Sequence, residues 1–262
     1  MKKHIYLLGL LVIAGTITLT SCSKKDTTEP ETETPTTPGG GGGGSASNAP
    51  ITPSFADGNG TMIASKVNAI VAVPGTTMVV TTTMGSATAS LFDAAGSATL
   101  VDGGAITAND STLAKQSNNA YIFTPKSTGI NWGSNSKWSI AGNSSTGVPA
   151  FTYTANGFPS NPTLPSITSV SKGSACTFST SSVSNADSLC FQITSGSKTI
   201  YKMKSASQTS HTFSSTEMGT LDVSSNAFMT ITAYKFNNTT ASTKKYYFIN
   251  LSTTNRSISV TN

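Results

Sequence analysis

From residue 51 onward, apolar and polar residues alternate in short runs that are separated by Gly, Asn, Pro and Ser. Alternation with a period of two is typical of strands, because successive side chains of a strand lie on opposite faces of a sheet. We find no sustained helical period in this part of the sequence. The one helix-start signal is Ser214 followed by Glu217, a capping-box spacing that predicts a single helical turn. The pattern therefore predicts an all-β fold.

Two β-sandwich domains are expected, with a boundary between residues 158 and 165. Pro159, Pro162 and Pro165 interrupt the alternation there, and proline cannot donate to a sheet ladder. The expected domains are 51–162 and 163–262. Strands are predicted in the first near 62–73, 78–82, 89–92, 105–108, 121–124, 137–141 and 150–154, and in the second near 167–172, 175–180, 189–194, 199–204, 211–214, 228–236, 245–251 and 257–260.

The second domain, with its short strands closely spaced, resembles an immunoglobulin-like or fibronectin-like sandwich. The resemblance is one of strand pattern. No Trp follows Trp138, so the Cys–Trp–Cys spacing of true immunoglobulin domains is absent.

The N-terminus has the pattern of an export signal. Lys2, Lys3 and His4 are followed by an uncharged apolar stretch that ends in Leu19-Thr20-Ser21-Cys22. This ending resembles the lipobox of bacterial lipoproteins. The resemblance implies a signal peptide over 1–21, cleavage before Cys22 and lipidation of Cys22.

Residues 22–50 are predicted to be a tether. They are rich in Thr, Glu and Pro and then run from Gly39 to Gly44 through glycine alone, a composition that cannot bury enough apolar surface to fold. The run Ser23-Lys24-Lys25-Asp26 resembles the export signal of Bacteroidetes-type surface lipoproteins. That resemblance implies an outer-membrane location, facing either the cell surface or the periplasm. Segments within residues 55–260 also resemble such lipoproteins, but this resemblance brings no activity with it.

Two cysteines remain for the folded part, Cys176 and Cys190. An even pair in an exported domain favours a disulfide, which would be structural. Two buried free thiols are the alternative.

Catalytic chemistry has few candidate residues. The chain has two histidines, and His4 leaves with the signal, so a hydrolytic triad or a zinc site would depend on His211 alone. The acids of the folded part mostly lie beside Gly, Asn or Ser, as turn residues do. We therefore predict no enzyme activity, no catalytic residues, no metal and no cofactor.

The charge of the folded part is uneven. Residues 165–262 hold eight basic residues against three acidic ones. Lys198, Lys202 and Lys204 share one face of a predicted strand, whereas Tyr201 lies on the other face, which is expected to point into the core. The lysines could attract an anionic glycan or could simply protect a sheet edge. Nucleic acid is not an expected partner, since Arg256 is the only arginine of the chain.

Aromatic residues suggest a second binding candidate. Trp132 lies in a Gly/Asn/Ser-rich segment and could present its ring to a sugar, with Tyr121 nearby; packing in the core is the alternative. Three Asp-Ser/Thr sequences resemble O-glycosylation acceptors of Bacteroidetes, which implies possible modification of Thr27, Ser111 and Ser188.

The expected function is that of a lipid-anchored cell-envelope or surface protein, a non-enzymatic module for binding, adhesion or structure. The alternative is an accessory glycan-binding lipoprotein of a polysaccharide-uptake system. The expected partners are the membrane, through the lipid, and a glycan or an envelope protein.

Overall fold

The structure is a computed structural model that describes residues 53–72, 79–125 and 129–262. The predicted signal peptide and tether, with Cys22 and Thr27, lie outside these residues. The predicted all-β class is confirmed, because nearly all the regular secondary structure of the described residues is strand. In chain order the strands are β1 (Gly60–Ala72), β2 (Val79–Leu91), β3 (Ile106–Ala108), β4 (Ser111–Thr112), β5 (Ala114–Lys115), β6 (Tyr121–Ile122), β7 (Asn135–Ile140), β8 (Phe151–Asn156), β9 (Ser169–Ser171), β10 (Cys176–Ser179), β11 (Ser188–Ser195), β12 (Lys198–Ser205), β13 (Ser210–Phe213), β14 (Ser224–Ala241) and β15 (Lys244–Thr261).

One large sheet forms the first layer. Its order is β12-β11-β14-β15-β1-β2-β6-β5, and β9 pairs with β15 beyond the point where β1 leaves it. Strand β1 lies parallel to β15 and antiparallel to β2. Two smaller sheets, β4-β3-β7-β8 and β10-β13, contribute buried residues that pack with those of the large sheet.

Two hydrophobic cores lie between the layers, and we call them the first and the second core. Residues of the four-stranded sheet and of β1, β2 and β15 build the first core, whose largest buried side chains are Trp138, Tyr121, Tyr246, Phe248 and Met62. The second core joins β10 and β13 to β11 and β14, around the buried side chains of Phe178, Phe191, Phe213 and Met218. Each core is closed by one of the two small sheets.

A row of buried polar residues, which we call the polar belt, continues along β15 beyond the first core. It consists of Asn250, Ser252 and Thr254, none of which is more than 3% exposed. Each side chain donates a hydrogen bond to a backbone carbonyl, from Asn250 to Ala155 at 3.1 Å, from Ser252 to Pro159 at 2.7 Å and from Thr254 to Pro162 at 2.6 Å. These bonds satisfy polar groups that would otherwise be costly to bury.

The segment predicted to separate two domains is the one held by the polar belt. The large sheet runs without a break from β1 and β2, in the predicted first domain, to β11, β12 and β14 in the predicted second. The residues that the structure describes accordingly cluster as one unit. The proline-rich segment from 158 to 165 therefore crosses from one core to the other above a shared sheet.

The predicted helical turn is confirmed as a short helix, α1 (Ser215–Gly219). Ser214 accepts a hydrogen bond from the Glu217 backbone N–H, and the Glu217 carboxylate accepts one from the Ser214 backbone N–H. This reciprocal capping satisfies donors at the helix N-terminus, and it directs Met218 into the second core.

Candidate functional site

A cleft of about 380 Å³ lies where β1 and β2 pass the segment from 129 to 132. It is lined by Lys66, Thr83, Gly85, Gly129, Ile130, Asn131 and Trp132. Clefts of this size suit a small ligand. Lys66 pairs with Gly85 in the sheet, and Asn68 pairs with Thr83 one step further along the same face.

Two glycines allow the backbones to meet at the floor of the cleft. The Ile130 backbone N–H donates to the Gly85 carbonyl at 3.0 Å. A Cβ on Gly85 would lie 1.9 Å from the Ile130 carbonyl oxygen, and one on Gly129 would lie 2.1 Å from the Gly85 oxygen. Only glycine fits at either position.

Trp132 forms a wall of the cleft, and a ring contact and a hydrogen bond on its other side hold it in place. Its ring stacks on Phe158 with centroids 5.7 Å apart, and its indole N–H donates to the Ser65 carbonyl at 2.8 Å. The residue is only 4% exposed. The interpretation of Trp132 as an exposed sugar platform is therefore wrong, and the core alternative holds.

Lys66 gives the cleft a positive charge. Its ammonium lies 4.8 Å from the centroid of the Phe158 ring, a cation–π contact. Among the described residues it forms no ion pair. Partial burial lowers the pKa of the Lys66 ammonium, so an anion placed beside it would restore the charge stabilisation that burial removes.

Behind the cleft lies a buried side chain with an unused donor. Asn68 is 4% exposed, and its Oδ1 accepts a 2.6 Å hydrogen bond from the Thr83 hydroxyl. Its Nδ2 has no hydrogen-bond partner among the described residues, and neither has the buried Nε of Arg256, which lies on the same sheet face. Buried donors are bonded in the great majority of cases, so this pair marks the region as one that an acceptor would complete.

The carboxylates of the described chain are engaged elsewhere. Six of them accept hydrogen bonds or ion pairs from the side chains or backbone of their own neighbourhoods, namely Asp57, Asp93, Asp102, Asp187, Glu217 and Asp222. Asp110 is exposed and pairs with Lys137 at 3.9 Å. The cleft thus combines donors and a cation with no competing carboxylate among the residues described.

Tyr121, the predicted neighbour of Trp132, is a core residue. It is 1% exposed, and its hydroxyl donates to Asp102 at 2.7 Å and accepts from the Gly103 backbone N–H at 3.0 Å. Burial first, and then the bond to Asp102, raise the pKa of Tyr121 to about 12. The prediction of a ligand contact at Tyr121 is wrong, since the ring closes the first core.

Asp102 makes this part of the fold sensitive to acid. Hydrogen bonds from Lys115, then Tyr121 and the Gly104 backbone N–H, lower the pKa of Asp102 to about 2. A carboxyl whose pKa is lower in the folded than in the unfolded chain stabilises the fold at pH values above its unfolded pKa. The stabilisation by Asp102 should therefore be lost as the pH falls from about 4 to about 2. We expect urea midpoints of the native chain to fall over this range and those of Asp102→Asn to fall less. Urea midpoints that fall equally with pH in both proteins would contradict the assignment of this acid sensitivity to Asp102.

The three lysines of β12 share a face, but not the one expected. Lys202 pairs with Phe191 and Lys204 with Leu189, so these lysines lie on the side of the second core and reach solvent because β12 is an edge strand. Tyr201, expected inside, lies on the opposite face and is 65% exposed. Lys198 is also exposed, at the start of the strand. The geometry agrees with the edge-protecting alternative.

Cys176 and Cys190 are free thiols, so the predicted disulfide is wrong. Cys176 belongs to the second core together with Leu189 and Phe191. Cys190 lies between those two residues on β11 and therefore points to the opposite face of the sheet. The large sheet itself separates the two sulfur atoms.

Both thiols should react with iodoacetamide slowly in the native chain and fully after unfolding. Burial raises the pKa of the Cys190 thiol to about 11 and also raises the pKa of Cys176, and the thiolate is the reactive form. Intact-mass spectrometry after labelling in urea without reductant should show modification of both. Labelling that appears only after reduction would show that Cys176 and Cys190 form a disulfide.

The predicted O-glycosylation acceptors differ in accessibility. Ser188 is 0% exposed at the start of β11, so the folded chain does not offer it to an enzyme, and that prediction is wrong. Ser111 is partly exposed next to a turn at Asn109 and Asp110, both of which have positive φ. Ser111 stays a prediction.

Sequence reasoning missed Lys66, Asn68 and Thr83. They read as ordinary residues of two strands, and only the register brings them together. A usable signal was present nonetheless. Lys66 and Asn68 interrupt the face begun by Met62 and Ala64, and polar residues at such positions need buried partners.

Two wider searches add no further site. Within the described ranges, His, Cys, Asp and Glu side chains form no group of three suited to a metal ion. No helix in the same ranges has the length and apolar character needed to cross a membrane.

Comparison with models of known protein families, with curated proteins and with solved structures finds no match for this chain.

Proposed function

We propose that this chain is a lipid-anchored, non-enzymatic binding module of the cell envelope, and that the cleft beside Lys66 is its ligand site. The observation that carries the proposal is the unpartnered, buried Nδ2 of Asn68 behind a cleft whose lysine has no carboxylate partner among the described residues. The signal and tether predicted for residues 1–50 would place this site outside the membrane through Cys22.

The ligand class follows from the groups around the cleft. Lys66 supplies a cation, Thr83 and Asn131 supply polar atoms, and Trp132 supplies an apolar wall. A small acid with several hydroxyl groups matches this set, since its carboxylate can face the ammonium while its oxygens accept from amides. A sugar acid such as a hexuronate is the proposed probe.

Direct titration tests the site. Isotope-labelled mature chain, with Cys22→Ser, would be titrated with glucuronate and galacturonate, and with glucose as a neutral match of similar size. We expect chemical-shift changes at Lys66, Thr83 and Asn131 with the acids, and much smaller ones with glucose. Lys66→Met should weaken binding at least about tenfold, as expected for loss of a charge-assisted hydrogen bond.

Two further variants make the titration specific. Thr83→Val removes the hydroxyl that bonds Asn68 and should also weaken binding. Lys198→Met removes an exposed lysine of another strand and should leave binding unchanged. Equal binding of glucose and the acids, or equal loss in Lys66→Met and Lys198→Met, would contradict the proposed site.

A glycan-binding accessory protein of a polysaccharide-uptake system is the second candidate. The polar groups of Thr83 and Asn131 beside the Lys66 ammonium favour it, because a sugar site fixes its ligand with a small number of precisely placed polar groups. Binding that strengthens from a monosaccharide to an acidic oligosaccharide, together with capture of a large envelope complex from native membranes, would support this candidate over the first.

The proposed anchor has its own test. Mass spectrometry of the N-terminal peptide from native membranes should find an acylated Cys22. Cys22→Ala should release the protein from the membrane fraction. Protease treatment of intact cells would then distinguish the outer surface from the periplasmic face.

A further inference from the structure

The strand that follows the tether lies inside the large sheet. Strand β1 is flanked by β15 on one side and β2 on the other, and it pairs with β2 along its whole length. It pairs with β15 from Gly60 to Ile70. A strand in this position cannot leave the sheet without breaking two ladders.

The parallel arrangement of β1 and β15 sets the direction in which they would have to separate. Gly60 pairs with Tyr246, so both strands begin at the same end of the sheet, whereas β15 ends at Thr261 beyond the far end of that pairing. Tension between the start of β1 and the end of β15 pulls the two strands along their axes in opposite directions. The hydrogen bonds of the ladder, which are evenly spaced in a parallel pair, are then strained together.

The residues just before β1 are fastened to the start of β15. The Asn59 backbone N–H donates to the Lys245 carbonyl at 2.6 Å, and the Tyr247 hydroxyl donates to the Ser54 carbonyl at 3.0 Å. The Lys245 ammonium bonds Asp57 at 2.8 Å. We call this group, residues 54–59 with Lys245 and Tyr247, the clasp. A pull on the tether would reach the clasp before the ladder.

Aromatic packing closes the clasp. The ring of Phe55 meets that of Tyr247 edge to face, with centroids 4.9 Å apart. Gly58 lies against the same ring, since a Cβ there would come within 2.9 Å of it. The clasp therefore holds the chain in line with β1 where the tether enters the fold.

We propose that this topology is a force clamp, which keeps the folded part intact when a partner and the membrane pull on it from opposite ends. The physiological role rests on the proposed anchor at Cys22. The mechanical property does not, because it belongs to the pairing of β1 with β15. A partner that holds the far end of β15 would load the ladder in shear, whatever its chemistry.

Single-molecule pulling of the unlipidated mature chain tests the clamp. One geometry attaches the handles at the N- and C-termini. The other attaches them at the N-terminus and at Ser242→Cys, in the exposed turn between β14 and β15, in a Cys22→Ser background. Ser242 lies two residues before β15, at the end of the sheet where Gly60 pairs with Tyr246. This second geometry would therefore peel β1 from β15 one pair at a time.

At equal loading rate we expect a rupture force several-fold higher in the first geometry than in the second. Equal forces in the two geometries would overturn the clamp. Tyr247→Phe serves as a second variant that keeps the ladder. This variant should preserve the main rupture force and shorten any small extension step that precedes it. A main rupture force lowered to that of the peeling geometry would mean that the clasp, and not the β1–β15 ladder, resists the pull, and it would refute the proposal.

Acylation at Cys22 is measured separately by mass spectrometry, so failure of the anchor and failure of the clamp give different results. A strong shear geometry with no acyl group would leave the mechanical inference standing and remove the membrane as the source of tension. An acylated chain with equal rupture forces in the two geometries would support the anchor and refute the force clamp.

Discussion

Replacing Gly85 with valine should destabilise the protein more than a comparable change at any exposed glycine. The new Cβ would lie 1.9 Å from the Ile130 carbonyl oxygen and 2.9 Å from its carbon, and both are backbone atoms that no side-chain rotation can move. The segment from 129 to 132 would have to leave β2, which breaks the bond from Ile130 to Gly85 and displaces Trp132. We expect a loss of about 3 kcal/mol or more in the free energy of unfolding.

Urea unfolding followed by tryptophan fluorescence measures this loss directly, because Trp132 and Trp138 are both buried in the first core. Gly133→Ala is the matched control. A Cβ at Gly133 meets nothing within 4 Å, so its effect should stay within about 0.5 kcal/mol. A Gly85→Val chain as stable as the Gly133→Ala chain would show that the strand and the crossing segment do not touch as described.

The fold class followed from local pattern, and the arrangement of the sheets did not. Alternation located most strands, and the spacing of Ser214 and Glu217 located α1, because both signals depend on neighbouring residues. The partners of each strand depend on residues far away. The parallel pairing of β1 with β15 joins segments that are separated by nearly the whole folded chain.

Strand length shows most clearly what the sequence hides. We expected separate strands at 245–251 and 257–260, whereas β15 runs unbroken from Lys244 to Thr261. Polar residues between those ranges interrupt the alternation. Two of them, Ser252 and Thr254, donate hydrogen bonds to the carbonyls of Pro159 and Pro162, which lie above the strand. Nothing local distinguishes such a stretch from a loop.

The candidate site was missed for a related reason. Trp132 and Tyr121 looked suitable for binding because aromatic residues in Gly- and Asn-rich segments are often exposed. Burial is decided by what crosses above a residue, and here Phe158 covers Trp132. Lys66 and Asn68 lie in an alternating strand and looked ordinary, and only the register places them beside Thr83 and the cleft.

The second large effect is expected at Asn250, the first residue of the polar belt. Its Oδ1 accepts a hydrogen bond from the Ser136 hydroxyl at 2.5 Å, and its Nδ2 donates to the Ala155 carbonyl at 3.1 Å. Ser136 in turn accepts from the Trp138 indole at 3.0 Å. Asn250→Ala would leave a cavity, and it would remove the acceptor of the Ser136 hydroxyl and the side-chain donor to the Ala155 carbonyl. We expect a loss of about 3 kcal/mol in the free energy of unfolding.

Asn237→Ala is the control for this variant. Asn237 also donates from its side-chain amide to a backbone carbonyl, that of Asn156 at 3.2 Å, but in exposed surroundings. Water can replace that bond, so the loss should stay below about 1 kcal/mol. Equal losses of unfolding free energy in Asn250→Ala and Asn237→Ala would show that burial does not make the hydrogen bonds of the polar belt more stabilising than exposed ones.

The form of the Asn250→Ala transition tests whether the two cores act as one. Fluorescence reports the first core, where both tryptophans lie, and far-ultraviolet circular dichroism reports the strands of both. Because β15 runs past both cores, we expect the two signals to shift together to the same lower midpoint, as a cooperative transition requires. Separate midpoints would mean that Asn250 is the joint between two domains, as the proline-rich boundary first suggested, and that the shared sheet does not by itself couple them.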